Sequence, residues 1–202
     1  MSATAKRDFL LANLQTPPRN RILAAASDLF YRNGIRAVGV EAIAEAAGTN
    51  KMTLYRHFTS KDELVAEYLR CLAAGAGQFW SELEAAHPGD PRAQLRGWLK
   101  SMEEHVVDTD QRGCALANAA VELPEKDHPA RRVIEQFKIE QRDRLVALCA
   151  ATGIAEPEML ADELFLLIEG ARVSAQSLGP NGPASRLVRM GEALIASHLA
   201  AA

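Results

Sequence analysis

The stretch Val40–Lys61, VEAIAEAAGTNKMTLYRHFTSK, decides how the rest of this chain is read. Val40, Ile43, Ala44 and Ala47 fall at i, i+3, i+4 and i+7, so a first short helix carries one apolar face. Gly48 stands where that helix must stop, because a residue without Cβ can take the left-handed conformation that closes a helix end. Asn50 is placed to cap a second helix, Lys51–His57, by accepting a free backbone N–H through its side-chain oxygen. Leu54 and Phe58, four apart, anchor that helix inward and leave Lys51, Met52, Thr53, Tyr55, Arg56 and His57 facing elsewhere. A helix of about two turns is not stable through its own propensity. It is placed there for what it displays. Ser60 and Glu63 then form a capping box that opens a third helix.

From Gly48 to Lys61 there is no Asp or Glu, while Lys51, Arg56 and Lys61 are basic. An acid-free, aromatic-containing segment on a helix-turn-helix pattern suits an anion with groove geometry, which means duplex DNA. The competing reading is a small helical hairpin whose charges are merely solvated, since this geometry also occurs without DNA.

The run from Arg21 to Leu64 resembles the N-terminal domain of the TetR family of bacterial transcriptional regulators. The resemblance rests on Ile22-Leu23, Ala26, Leu29-Phe30, Gly34, Ile43-Ala44, Ala47-Gly48, Leu54 through Phe58, Ser60-Lys61 and Glu63-Leu64. It departs from the family at Val38 and Gly39, where a Thr or Ser often precedes the helix and no hydroxyl is present here. Gly39 can still serve as N-cap. The resemblance implies that Lys51, Met52 and Thr53 read bases and that Tyr55, His57 and Lys61 hold phosphates, with Arg56 on the same displayed helix. It also implies a homodimer, usually formed through a four-helix bundle of the final helices, and release from an operator by a small-molecule effector.

Composition bounds the rest. A chain of 202 residues suits one large or two small domains and can bury a real core. Leu and Ala dominate and alternating strand-like runs are missing, which predicts an all-α fold. The net charge of −3 hides an asymmetry. Through Arg70 there are 10 Lys or Arg against 7 Asp or Glu, giving +3; the remaining 13 against 19 give −6. A basic end and an acidic body fit a nucleic-acid reader joined to something that should not touch phosphates. Cys71, Cys114 and Cys149 are widely spaced and odd in number, so no disulfide framework is implied and a reducing compartment is the simple reading. No apolar run approaches the roughly 20 residues a bilayer requires, and no signal peptide is evident. A cytoplasmic protein with no membrane partner is expected.

Three parts are expected in order: a flexible arm over 1–15, a DNA-binding domain of three helices over 16–60, and a larger ligand-binding and dimerisation domain over 61–202. In the arm, Lys6 and Arg7 could reach a neighbouring groove, although a loose tail is the ordinary state of a terminus. Thr16 is placed to cap the first helix, whose inner stripe is Ile22, Ala26, Leu29 and Phe30. A long helix follows over Lys61–Ala86 with the stripe Leu64, Tyr68, Leu72, Phe79 and Leu83. Gly75 and Gly77 within it mark a bend, a close contact or a small-residue packing site. Pro91 opens a helix carrying Leu95, Trp98, Leu99, Met102 and Val106; a polar loop over Asp108–Gly113, a short helix over Cys114–Leu123 and a long helix from Pro129 follow. The segment Arg112–Leu116 with Asn118 and Glu122 also resembles the bodies of the family, more loosely.

The last two helices are predicted over Pro157–Leu178 and Pro183–Leu199, packed antiparallel across Gly179–Gly182. Leu164–Ile168 are five consecutive apolar residues, more than one helix face can hold, so this helix needs two partners. One is the body; the other is read as a second copy of the chain, with Gly170, Ala171, Ser174 and Gly191 allowing close approach. A monomer with a two-sided core helix is the alternative.

Enzyme chemistry finds no support: the phosphate-cradling glycine loop, the nucleophile elbow and the HExxH pair are all missing. No cofactor or metal is implied. The reading is a DNA-binding transcriptional regulator, a homodimeric repressor, or less often activator, that binds double-stranded operator DNA and is released by a small molecule. The effector pocket is expected among Phe79, Trp98, Met102, Asn118 and Phe137, apolar walls with a polar anchor. Two other readings stay open: a thiol-based redox regulator using Cys114 beside Arg112, and a helical adaptor that binds no DNA.

Overall fold

Proline and glycine set most of the boundaries in this chain, and among the described residues every regular element between them is helical. The computed structural model describes residues 16–107 and 112–200. The expected arm over 1–15, with Lys6 and Arg7, lies outside the described residues, as does most of the polar loop after the second proline-initiated helix. The helices are α1 (Pro18–Asn33), α2 (Val40–Ala46), α3 (Lys51–His57), α4 (Lys61–Ala86), α5 (Pro91–Val107), α6 (Ala115–Glu122), α7 (Pro129–Ala151), α8 (Pro157–Leu178) and α9 (Leu187–Ala200). A 3-10 turn over Pro183–Arg186 leads into α9. Among the described residues there is no strand, and the fold is all-α.

Packing divides the chain into two compact units. The first holds the described residues through Leu72 together with Asn118–Val133; the second holds Ala73–Ala117 and the residues from Ile134 onward. α4 is one continuous helix with residues in both.

In the first unit, α1, α2 and α3 bury Ile22, Ala26, Phe30, Ile43, Ala44 and Leu54, and α4 adds Leu64, Val65, Tyr68 and Leu69. The Phe30 and Tyr68 rings lie 5.7 Å apart. Arg19 stacks over the Phe58 ring at 5.2 Å and reaches Glu67 Oε1 at 2.5 Å, so α1 clasps both the end of α3 and the first turns of α4. The Arg19 hydrogen bond, aided by that of Arg70, holds the Glu67 carboxyl below its ordinary range. α1 starts at Pro18, with Pro17 at the N-cap position and no side-chain cap. The expected Thr16 cap does not form: the helix starts one residue later than Thr16 could cap, and the N-cap position falls to Pro17, whose side chain has no acceptor. At the other end Gly34 takes φ +85°, and a side chain there would also press on the Glu122 carboxylate, 3.0 Å from where its Cβ would sit.

The second unit is centred on Leu95, Leu99, Leu145, Leu160, Leu164 and Leu187, all essentially inaccessible. Asp90 caps α5 by accepting the Ala93 N–H at 2.9 Å. Arg142 on α7 holds Asp162 on α8 with two parallel bonds, 2.6 and 2.9 Å. Expectations at four places need correction. Leu72 is 39% exposed, because the stripe of α4 shifts face beyond Leu69. Gly75 and Gly77 mark no contact: a Cβ at either would meet nothing within 4 Å. Ala171 and Gly191 face their own chain rather than a second copy. Ala171 is buried, and a Cβ on Gly191 would sit 2.5 Å from Leu99 Cδ2, so α9 can approach α5 only with glycine there. The last helix begins four residues later than expected, since Pro183 opens a 3-10 turn whose tighter winding precedes α9.

Candidate nucleic-acid interface

The geometry of α3 follows from its two ends and one buried side chain. At its start Asn50 accepts the Thr53 N–H at 2.9 Å through its side-chain oxygen, the expected cap. Before it, Gly48 takes φ +61° directly after the last residue of the α2 turn, which lets the chain reverse in three residues. Leu54 is fully buried and Phe58 nearly so, which fixes the rotation of the helix about its axis. The first unit thereby presents Lys51, Met52, Tyr55 and Arg56 to solvent, Met52 at 79% exposure.

Thr53, His57 and Lys61 are half-buried. His57 Nε2 is the only buried side-chain nitrogen or oxygen among the described residues without a hydrogen-bond partner. Such a group carries a desolvation cost until something pairs with it. Lys61 opens α4, and its partial burial draws its ammonium below the usual lysine range. Ser60 accepts the Glu63 N–H at 3.0 Å, while Glu63 Oε2 returns to the backbone N–H and hydroxyl of Thr59. The capping box therefore forms with its return bond one residue earlier than the pattern predicts.

Two contacts in this unit escaped the sequence. The surface that is acid-free along the chain is not acid-free in space. Glu41 on α2 reaches Lys51 Nζ at 2.7 Å, and Lys51 in turn lies 6.0 Å over the Tyr55 ring. The shared hydrogen bond raises the Lys51 ammonium and lowers the Glu41 carboxyl from their usual ranges. The second is Glu122. Its Oε2 accepts the backbone N–H groups of Ile35 (2.7 Å) and Arg36 (3.2 Å), and Arg36 Nε donates to the Glu122 carbonyl at 2.6 Å. Arg36 also reaches Glu125 at 2.5 Å. The turn that feeds α2 is thus held from a segment more than eighty residues away, which no local pattern could signal.

In the second unit a cavity of about 280 Å³ is lined by Phe79, Trp98, Met102 and Phe137, four of the five expected pocket residues, together with Gly75, Trp80, Gln141, Phe165, Lys138, Glu169 and Arg172. Asn118 does not line it; α6 carries that residue into the other compact unit. The charged wall was missed, although Glu169 directly after five apolar residues on α8 was the signal for it. Among the described residues no group of three or more His, Cys, Asp or Glu could hold a metal, and no helix is long and apolar enough to cross a membrane. Cys71 is exposed, Cys114 half-buried and Cys149 buried, all as free thiols.

A capped, solvent-presenting second helix set against a first across a glycine turn defines a helix-turn-helix DNA-binding module, here carried by an all-α chain. Comparison with known proteins makes this specific. Residues 22–68 match the family described as bacterial regulatory proteins, tetR family. The HTH-type transcriptional regulator AcrR of Shigella flexneri is 33% identical over 94 residues, which is 46% of this chain and 44% of that protein, so the match spans less than half its length. The HTH-type transcriptional repressor KstR2 of Mycolicibacterium smegmatis is 28% identical over 83% of this chain and 82% of its own. A crystal structure from Streptomyces avermitilis, sav143, assigned to the TetR transcriptional regulators, aligns with TM-score 0.79 and 31% identity over 91% of this chain and 98% of its own. The chain belongs to the TetR family of DNA-binding transcriptional regulators.

Proposed function

We propose that the protein is a homodimeric repressor that is released from its operator by a small molecule. The two copies place α3 in successive major grooves on one face of the duplex, about 34–36 Å apart. Lys51, Met52 and Thr53 read bases there, while Tyr55, His57 and Lys61 hold phosphates, contacts that fix register without reading sequence. Arg56, exposed beside Tyr55, adds charge to the same face. The observation that carries this reading is the presentation of α3: capped by Asn50, anchored by Leu54, and exposing an otherwise unexplained Met52.

Three further features support the finer points. Met159, Leu166 and Val173 stand seven residues apart on α8 at 54%, 71% and 64% exposure, an apolar stripe that a second copy would cover. Residues 61–202 then serve effector binding and dimerisation, with Lys61 at their start still on the DNA, and 16–60 serve DNA. Repression is favoured by the similarity to KstR2, a repressor that this chain matches over most of its length. The aromatic cavity in the second unit suits the effector, which acts by binding more tightly to a dimer whose heads no longer match the groove spacing.

The test is a gel shift on the DNA flanking the protein's own gene, with the salt concentration varied. A discrete, salt-sensitive complex is expected, and Lys61→Ala should weaken every site alike and lower the salt slope by about 1 for each head of the dimer. No salt-sensitive binding to any duplex fragment overturns the reading.

A further inference from the structure

The charge balance inside the cavity points to a class of ligand. Lys138, Glu169 and Arg172 share its wall. Glu169 accepts from Lys138 Nζ through Oε2 and from Arg172 Nη1 through Oε1, each at 2.6 Å, so both carboxylate oxygens are engaged. Burial pushes this carboxyl up, but the Lys138 bond and the two cations outweigh it and hold it below its ordinary value. Glu169 is thus an anion already neutralised, and one of the two cations is in excess.

That excess lies at Arg172. Its second amino group, Nη2, meets only the Met102 sulfur at 3.7 Å, and a thioether is a weak acceptor. Gln141 uses its carbonyl oxygen to accept the Trp80 indole N–H at 2.8 Å, which leaves its amide nitrogen a donor without a partner among the described residues. His105, the remaining titratable group of the lining, turns Nδ1 to the Ser101 carbonyl at 2.7 Å. Donors outnumber acceptors on the polar side of the cavity. The rest is aromatic: both tryptophans of the chain and three of its six phenylalanines line it. The volume falls at the small end of the about 300–1,000 Å³ usual for ligand sites.

We infer that the effector is a mono- or bicyclic aromatic acid, its rings among Phe79, Trp80, Trp98, Phe137 and Phe165 and its carboxylate on Arg172. This rests on the cavity being the effector site. A carboxylate gains a charge-assisted bond to Arg172 Nη2, the guanidinium amino group that now has only sulfur as partner. An amine meets two cations and a carboxylate that both of them already neutralise, and a neutral amide forgoes the charge.

The test uses the full chain and three probes with one ring system: naphthylacetate, naphthylacetamide and naphthylethylammonium. Calorimetric titration gives affinity, and the two indole N–H signals of Trp80 and Trp98 in a nitrogen-15 spectrum report whether the probe is in the cavity. The acid should bind about tenfold or more tighter than the other two, the difference between a charged and a neutral hydrogen bond, and both indoles should shift. Arg172→Gln should remove the preference while leaving the amide unaffected. Glu169→Gln should strengthen the acid, because it removes the carboxylate that competes for Lys138 and Arg172; a purely structural role for Glu169 gives the opposite sign. Amide or amine binding as tightly as the acid, with the indoles shifted, overturns the acid class and leaves the cavity as effector site. No heat and no shift with any of the three overturns both.

Discussion

Replacing Glu41 with glutamine should tighten DNA binding and steepen its dependence on salt. In the free protein Lys51 Nζ lies 2.7 Å from Glu41 Oε1, so the lysine nearest the start of α3 is held by a carboxylate of its own chain. Any group of the DNA that takes Lys51, the base edge it reads or a phosphate beside it, must displace Glu41 or tolerate it nearby. The pair is open to water, with 53% and 68% of the two side chains exposed, so its loss should leave the unfolding transition where it was. On DNA the effect is different in kind. Each phosphate neutralised by a lysine contributes about 0.9 to the slope of log K against log salt. Two heads in the proposed dimer contribute about 1.8. Over a fourfold change, from about 50 to 200 mM salt, the variant should lose about 12-fold more affinity than the parent. Fluorescence anisotropy on a labelled operator across that range measures it directly. Lys51→Ala alone should leave the slope near the parent's, and Glu41→Gln added to it should change almost nothing. An unchanged slope in Glu41→Gln, or an equal gain with Lys51 already removed, refutes the competition between carboxylate and DNA.

Leu54→Ala removes a side chain with no exposed surface and should cost about 2.7–5.0 kcal/mol in urea unfolding, with DNA affinity falling in parallel; a loss below about 1 kcal/mol means α3 is not anchored by that residue. Leu166→Glu places a charge on the most exposed member of the α8 stripe and should yield folded monomers by light scattering; an intact dimer removes that stripe from the seam. Burial pushes the Cys149 thiol from 9.0 up to about 12. Its folded pKa is the higher one, so its contribution to stability is full below pH 9.0 and declines as the pH rises toward about 12. In alkylation at about pH 8.5, exposed Cys71 should react first and Cys149 only on unfolding, as mass spectrometry of the peptides would show. Prompt labelling of Cys149 contradicts its burial.

The helices were legible because the rules that place them act within one turn. Asn50 caps the residue three ahead of it, Pro91, Pro129 and Pro157 each begin a helix, and Ser60 with Glu63 opens α4 at Lys61 as the capping pattern requires. The long helix over Lys61–Ala86 closes where the His87–Pro91 break interrupts the period. The apolar stripe of α5 was equally readable, since Leu95, Trp98, Leu99 and Val106 share a face and are buried together. Where a stripe was carried too far, as at Leu72, the reason is that periodicity says which residues share a face and not what lies opposite.

The candidate site divides the same way. By itself the sequence determined an all-α chain, its order of helices, the two-turn α3 with the residues it displays, and the aromatic side of the cavity. Only the tertiary structure decided the electrostatics. It brought Glu41 from the preceding helix onto Lys51, set Glu122 under the backbone of Ile35 and Arg36, turned Ala171 and Gly191 inward, and gathered Lys138, Glu169 and Arg172 on one wall. Helical hydrogen bonds and caps span three or four residues, so a sequence displays them directly. An ion pair depends on the distance between side chains whose separation along the chain says nothing of their separation in space, and that distance is fixed only when the helices have packed.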